Sequence, residues 1–334
     1  MRRKQTSRKK LQRGGTIFLF VFLLFFFWLF ADLGKSWNGK DRLTVVLQNV
    51  SGENKTEEYR LAVISIEPSQ EKGNYLYLKP NFLLDIPYGY KTYPVYSIYK
   101  LGRLDKTRGG EKLIKSSIET TLGIKTDRYL LFTDKNGPEL PDRKESFNKF
   151  KHDNLTIFSG FPFLAGLYSG RVSTDMTLIE RIRFFWEMRN LRIDQIKYID
   201  PSVSVASREE LLPDNSRMYS LDRDLFDNLI KNDFTDIRVR KEDYTLEVQN
   251  ATGQEKIASQ FSRILDHMGA HVVFKTTSKD INRNICLLRF SNNTGRESYV
   301  SRILKADYKC QESKEGNGVS QADIQVIIGE GFLK

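Results

Sequence analysis

The chain has 334 residues, 40% of them hydrophobic and 28% charged, which gives room for two ordinary domains and excludes global disorder. Its formal charge of +11 is concentrated at one end, since seven of the 53 Lys and Arg fall in the first thirteen residues, MRRKQTSRKKLQR. Residues 34–334 carry only +5 and no basic stripe interleaved with aromatics, so no nucleic-acid partner is expected.

In chain order, residues 1–15 read as a cytoplasmic basic tail and residues 16–33, TIFLFVFLLFFFWLFADL, as a transmembrane helix. About 16 to 18 apolar residues at ~1.5 Å each cover most of a ~30 Å hydrocarbon core. Basic residues before the run and Asp32 after it place the N-terminus in the cytoplasm and everything from Gly34 onward outside. A cleaved signal peptide fits less well, because bulky Phe and Trp continue to the end of the run and no small-x-small site follows.

LTVVLQNV (43–50), YRLAVISIEP (59–68) and NYLYLKP (74–80) are β-branched or alternating runs and predict three strands. GGEKLIKSSIETTLGI (109–124) spaces Leu113, Ile114, Ile118 and Leu122 for a helix closed by Gly123, and DRYLLFTD predicts a further strand. Residues 134–153 read as polar loop with a short helical piece, and Arg143, Lys144, Lys149 and Lys151 within it as solvated cations. SGFPFLAGLYSG (159–170) is apolar but broken by glycine. TDMTLIERIRFFWEMRNL (174–191) predicts a capped amphipathic helix whose FFW cluster belongs to a core, and LDRDLFDNLIKNDF (221–234) another helix. Strands followed by a helix and a returning strand define a mixed α/β layer domain.

The composition changes near RVRKEDY (238–244). Beyond it come a strand (244–253), a helix (254–269), two strands (AHVVFKT and NICLLRFS), a helix (295–308) and a closing strand, ADIQVIIGEGF. That β-α-β-β-α-β order predicts a small ferredoxin-like domain. Cys286 and Cys310 are permitted to form a disulfide outside the cytoplasm; one buried and one surface thiol is the equal alternative. The three histidines, His152, His267 and His271, show no zinc-ligand spacing.

Taken together, GGEKLIKSSIETTLGIKTDRYLLFT, the upstream RLAVISIEP and LYLKP…IPYG, and the downstream MTLIERIRFFWEMRNL resemble the LytR-CpsA-Psr family. VQNATG and ADIQVIIGEGF resemble that family's LytR C-terminal domain. The resemblance implies residues 34–238 as the LytR-CpsA-Psr-like domain and 239–334 as the C-terminal domain. It also implies a membrane-anchored cell-envelope protein. Typical members move a glycopolymer from a polyprenyl-pyrophosphate carrier to peptidoglycan, using Arg and Mg²⁺ against the pyrophosphate charge.

The family's charged positions do not carry over. Its Arg-x-Asp-Thr falls here on Glu57, Tyr59 and Arg60, and its Pro-Arg-Asp loop on Pro80, Asn81 and Phe82. Arg103 and Arg108, ahead of Gly109-Gly110, are the remaining candidates for anion binding. The expectation is a non-catalytic scaffold or binding module with no catalytic residue, metal or cofactor. Its partners would be the membrane, peptidoglycan or a lipid-linked glycan, and a paralogue or other envelope protein. The alternative is a divergent, Mg²⁺-dependent glycopolymer transferase.

Overall fold

The computed structural model describes residues 36–49, 59–133, 138–156, 172–211, 215–313 and 320–333. The predicted transmembrane helix, the SGFPFLAGLYSG stretch and Glu57 lie outside the described residues. Among the described residues, no helix is long and apolar enough to cross a membrane.

The N-terminal unit is built from β1 (Leu43–Asn49), β2 (Leu61–Glu67), β3 (Lys72–Leu78), β4 (Leu83–Asp85), β5 (Thr92–Pro94), α1 (Val95–Leu104), α2 (Gly109–Leu122), β6 (Arg128–Phe132), α3 (Lys144–Asn154), β7 (Val172–Thr174), α4 (Leu178–Asn190), β8 (Ile196–Ile199), β9 (Ser207–Leu211), β10 (Arg217–Leu221) and α5 (Arg223–Ile230). Six strands form one mixed sheet in the order β7-β6-β1-β2-β3-β8. β1, β2 and β3 are antiparallel neighbours, while β6 runs parallel to β1 and β8 parallel to β3. Alternation divides the side chains between two cores. Val45, Leu47, Ile64 and Tyr75 face α3 and α4, where Phe147, Phe150, Phe184 and Met188 are buried. Val46, Val63, Leu76 and Leu131 face α1, α2 and α5 through Ile98, Leu113, Ile118 and Phe226. The result is the expected mixed α/β arrangement, with helices on both faces of the sheet.

The short helical piece expected within residues 134–153 is α3, which extends over eleven residues. Phe147 and Phe150, three apart, give α3 a buried stripe strong enough to order eleven residues that are otherwise polar. α1 and α2 cross where Gly102 meets Gly110. A Cβ at Gly102 would lie 2.6 Å from the Gly110 Cα, so the two backbones approach as only glycine allows.

The C-terminal unit comprises α6 (Ile237–Glu242), β11 (Thr245–Ala251), α7 (Ile257–Met268), β12 (His271–Thr277), β13 (Cys286–Phe290), α8 (Asn293–Glu297), α9 (Tyr299–Ala306), β14 (Gln311–Glu312) and β15 (Ile324–Gly329). The expected element order is present with one short strand added, but the ferredoxin-like pairing is not. The sheet runs β12-β11-β15-β13-β14. β12 pairs in parallel directly with β11, so the βαβ unit is closed, whereas a ferredoxin-like sheet splits it with an intervening strand. Element order alone does not fix which edge the second strand takes, and here α7 returns the chain to the nearer one. Cys286 and Cys310 are joined in a disulfide, with both residues buried, which decides between the two alternatives.

One carboxylate ties several of these pieces together. Glu180 is fully buried at the N-terminal end of α4. It accepts from the Trp37 N–H (2.8 Å), from the Thr177 N–H (2.8 Å) and from Arg128 Nε (3.1 Å) and Nη2 (2.8 Å). Thr177 in turn accepts from the Glu180 N–H, completing a capping box. Burial acts to raise the Glu180 pKa, yet the hydrogen bonds from Arg128, Trp37 and Thr177 outweigh it and hold the group below its ordinary value. A depressed carboxylate stabilises the fold above its unfolded pKa, and that contribution is lost as pH falls through the folded value. Glu180→Gln is expected to leave Arg128 without its buried partner and to cost about 3–5 kcal/mol in urea denaturation at neutral pH. The difference from the parent should shrink in acid, where the parent loses the same charge.

Candidate functional site

The positions aligned with the family's charged groups are structural in this chain. Tyr59 is buried, with Lys100 Nζ 5.0 Å from its ring centroid. Arg60 turns toward the chain after β6, pairing with Glu139 at 2.8 Å and donating to the Leu140 carbonyl at 3.2 Å. Asn81 donates its side-chain amide to the Arg217 carbonyl, and the Tyr219 N–H donates to the Asn81 carbonyl at 3.2 Å. Phe82 is fully buried in the core beneath α1 and α2 and bridges to Tyr219. The β9–β10 hairpin thus packs on the loop that follows β3.

Arg103 is exposed in the last turn of α1. Arg108 pairs with Asp105 at 3.0 Å and stacks 4.3 Å from the Tyr88 ring centroid. Tyr88 itself adopts φ +69°, a left-handed conformation uncommon for a bulky residue, and its hydroxyl meets Ser116 Oγ at 3.0 Å. Among the described residues, no group of three or more His, Cys, Asp or Glu is placed to hold a metal ion.

A large concavity among the described residues lies elsewhere, between the two units. A cleft of about 1180 Å³ runs between α2 with the 123–129 segment on one side and α7 with residues 306–309 and 331–333 on the other. Helical spacing places Lys112, Lys115, Ser116 and Glu119 on the α2 wall. Opposite stand Phe261, Tyr308 and Phe332, packed edge to face with centroids 4.9 Å (Phe261–Tyr308) and 5.5 Å (Phe261–Phe332) apart. Tyr88 and Tyr129 add aromatic surface on the first side.

Two groups in this cleft are unusual. Glu119 receives the Thr126 N–H (3.0 Å) and hydroxyl (2.8 Å) on one carboxylate oxygen, while burial raises its pKa. The Tyr308 hydroxyl is buried with no hydrogen-bond partner, and burial together with the charges of Glu119, Asp307 and Asp127 raises its pKa too. An aromatic wall facing amines, carboxyls and a free hydroxyl suits a ligand with apolar faces and hydroxyl or amide edges. The sequence reading did not find this site, because its two walls are some 140 residues apart in the chain. The periodic Lys112-Lys115-Ser116-Glu119 face was the one visible signal.

Both sides of the cleft are joined below it. Lys125 is buried between Asp127 and Asp307, 2.8 Å from the latter. Arg263 forks onto Asp227 (2.7 and 2.6 Å) and reaches the Thr121 carbonyl (3.3 Å). His267 donates from Nδ1 to the Gly123 carbonyl (3.0 Å), and its Nε2 lies 3.4 Å from Asp227. A second cavity of about 410 Å³, lined by Trp37, Asp236, His267 and Tyr299, adjoins this contact.

No protein-family model matches the chain, and no curated protein matches it. Solved structures do. The crystal structure of B. subtilis TagV is 12% identical and aligns with a TM-score of 0.40 over 57% of this chain and 94% of that one. The LytR-CPS2A-psr family protein YwtF (TagT), with bound octaprenyl pyrophosphate lipid, is 13% identical with a TM-score of 0.37 over 59% and 91%. The gbs0355 protein of Streptococcus agalactiae is 10% identical with a TM-score of 0.37 over 57% and 85%. One of these neighbours bears the name of the LytR-CpsA-Psr family, which the sequence motifs resemble. At such identities the likeness is one of chain course over part of the length and assigns no activity.

Two outcomes follow from the geometry. Phe82→Asp is expected to create no metal site and instead to lower stability by about 3–5 kcal/mol, because it places a carboxylate in the core; chemical denaturation measures this. Burial lowers the His267 pKa, with Asp227 and the Gly123 carbonyl acting against it, so the neutral ring is the one that fits the interface. Its stabilisation is complete above the ordinary histidine value of about 6.5 and is lost as pH falls through the lower folded value. Denaturation midpoints between about pH 5 and 7.5 should therefore fall with acid, and His267→Gln should flatten that slope.

Proposed function

We propose that the chain is a membrane-anchored, extracytoplasmic cell-envelope protein that binds a cell-wall glycan in the cleft between its two units without acting as a transferase. The observation that carries this reading is the cleft itself: the Phe261–Tyr308–Phe332 wall faces the polar stripe of α2 across about 1180 Å³. A sugar ring presents an apolar face to such a wall and hydroxyls to Lys112 and Glu119 on α2. Ligand classes are peptidoglycan or a lipid-linked glycan; a partner paralogue or other envelope protein supplies any chemistry.

Support for a non-catalytic role comes from the uses to which the aligned positions are put. Phe82 fills a core and Asn81 holds a hairpin, so neither is free to be exchanged for a pyrophosphate-binding group. Pyrophosphate binding draws on several charge-assisted contacts of about 1.5–3 kcal/mol each, or on a bound metal. The competing reading, a divergent Mg²⁺-dependent transferase, requires Arg103 and Arg108 to supply them, and Arg108 is already engaged with Asp105 and Tyr88.

The test uses the full chain in detergent, sedimented with purified cell-wall sacculi. Retention is expected, and Lys112→Ala combined with Phe332→Ala is expected to weaken it about tenfold, each lost contact contributing ~1 kcal/mol or less. Retention unchanged by the cleft variants would move the site elsewhere. Transfer of a lipid-linked glycopolymer that depends on Mg²⁺ would replace this reading by the transferase.

A further inference from the structure

The outer face of α4 is apolar although it is exposed. Its inner face buries Glu180, Phe184, Phe185 and Met188. On the opposite side Ile182 is 51% and Trp186 53% exposed, four residues apart, and Arg189 lies over the Trp186 ring at 5.5 Å. The sequence motif TLIERIRFFWEMRN assigned its FFW cluster to a core, and Trp186 is the member that the core does not take up.

What lies near this face is set by the chain. Residues 36 and 37 are pinned to the start of α4: Ser36 Oγ meets Thr177 Oγ1 at 2.9 Å, Trp37 donates to Glu180 at 2.8 Å, and Arg183 donates to the Trp37 carbonyl. The apolar run of residues 16–33 ends three positions before Ser36. Three residues reach at most ~11 Å, so a run that spans a bilayer places the first turn of α4 at its surface. α4 is about 20 Å long, short enough to lie wholly within the interfacial layer beside it.

Resting on the envelope reading above, in which residues 16–33 anchor the chain, we propose that the outer face of α4 lies on the membrane and inserts Ile182 and Trp186 among the lipid headgroups. Trp is the side chain that favours this depth, with its indole N–H toward water and its rings toward the acyl chains. Arg189, and the exposed Lys149 of the adjoining α3, supply charge that anionic lipid headgroups attract. The contact fixes the rotation of the envelope domain about its anchor. The groove between the units is then held at one height and orientation above the bilayer.

The full chain, reconstituted in vesicles of phosphatidylethanolamine and phosphatidylglycerol, tests this with a fluorophore on Ile182→Cys. The control is Val205→Cys, which is 84% exposed beside Ala206 on the opposite core of the sheet. The native cysteines are already joined. Quenching by headgroup-labelled lipid is expected to be at least about threefold stronger at 182 than at 205, and quenching by aqueous iodide weaker. Equal access of iodide to both positions in a chain that floats with the vesicles would overturn the inference and leave the anchor standing. Protection at 182 from both quenchers would also overturn it, in favour of cover by residues 157–171 or by a second copy. A chain that does not float with the vesicles would remove the anchor reading itself.

Discussion

The Glu180 carboxylate is the constraint on which the N-terminal unit depends. It is the meeting point of three segments: the residues leading into β1, the first turn of α4, and the start of β6. An unpaired carboxylate at that depth costs several kcal/mol, so the arrangement holds only while all donors are present. The same group caps a helix, neutralises Arg128 and locks the entry of the chain. It therefore couples local helix formation to the register of the sheet edge.

The contact between the two units follows the same logic with more partners. Arg42 secures the segment that leads into the second unit, donating to the Asp233 and Thr235 carbonyls while pairing with Glu67 at 2.6 Å. Gly123, which closes α2 in a left-handed conformation, accepts from His267, and a Cβ there would lie 3.1 Å from the imidazole. Helix capping and interface formation are thus one event at that residue. α6 is also committed to the second unit, since Val239 enters its core and Glu242 accepts from the Tyr299 N–H at 2.8 Å. The cleft above this contact is consequently bounded by two surfaces whose separation is set by half-buried ion pairs.

Much of this was legible in the residues and some was not. The long strands and α2, α4 and α7 announce themselves by alternation or by 3.6-residue periodicity, because each presents one face to a large core. α3 was legible only as a short helical piece without bounds, since only Phe147 and Phe150 report its buried side among nine polar residues. The hairpins β4–β5 and β9–β10 were missed because their strands are three to five residues long and mostly half-exposed. At the site, the sequence singled out Asn81 and Phe82, but not the β9–β10 hairpin that packs on them. That contact joins positions 136 residues apart, and no local pattern encodes it.

The position of β15 has a consequence for how the C-terminal unit assembles. It follows the other four strands in the sequence yet sits in the middle of their sheet, parallel to β11 and antiparallel to β13. Before it arrives, β11 with β12 and β13 with β14 are two separate pairs with no shared backbone hydrogen bonds. The β11–β15 pairing spans 78 residues and the β13–β15 pairing 34 to 42, so closure is dominated by loop entropy and is slow compared with forming α7 or α9. Until β15 adds, the inner edges of β11 and β13, which carry Leu246, Val248, Leu288 and Phe290, are left open to other chains. Sheet closure by a late strand makes the interval between synthesis and folding the period in which this unit is most open to misassembly.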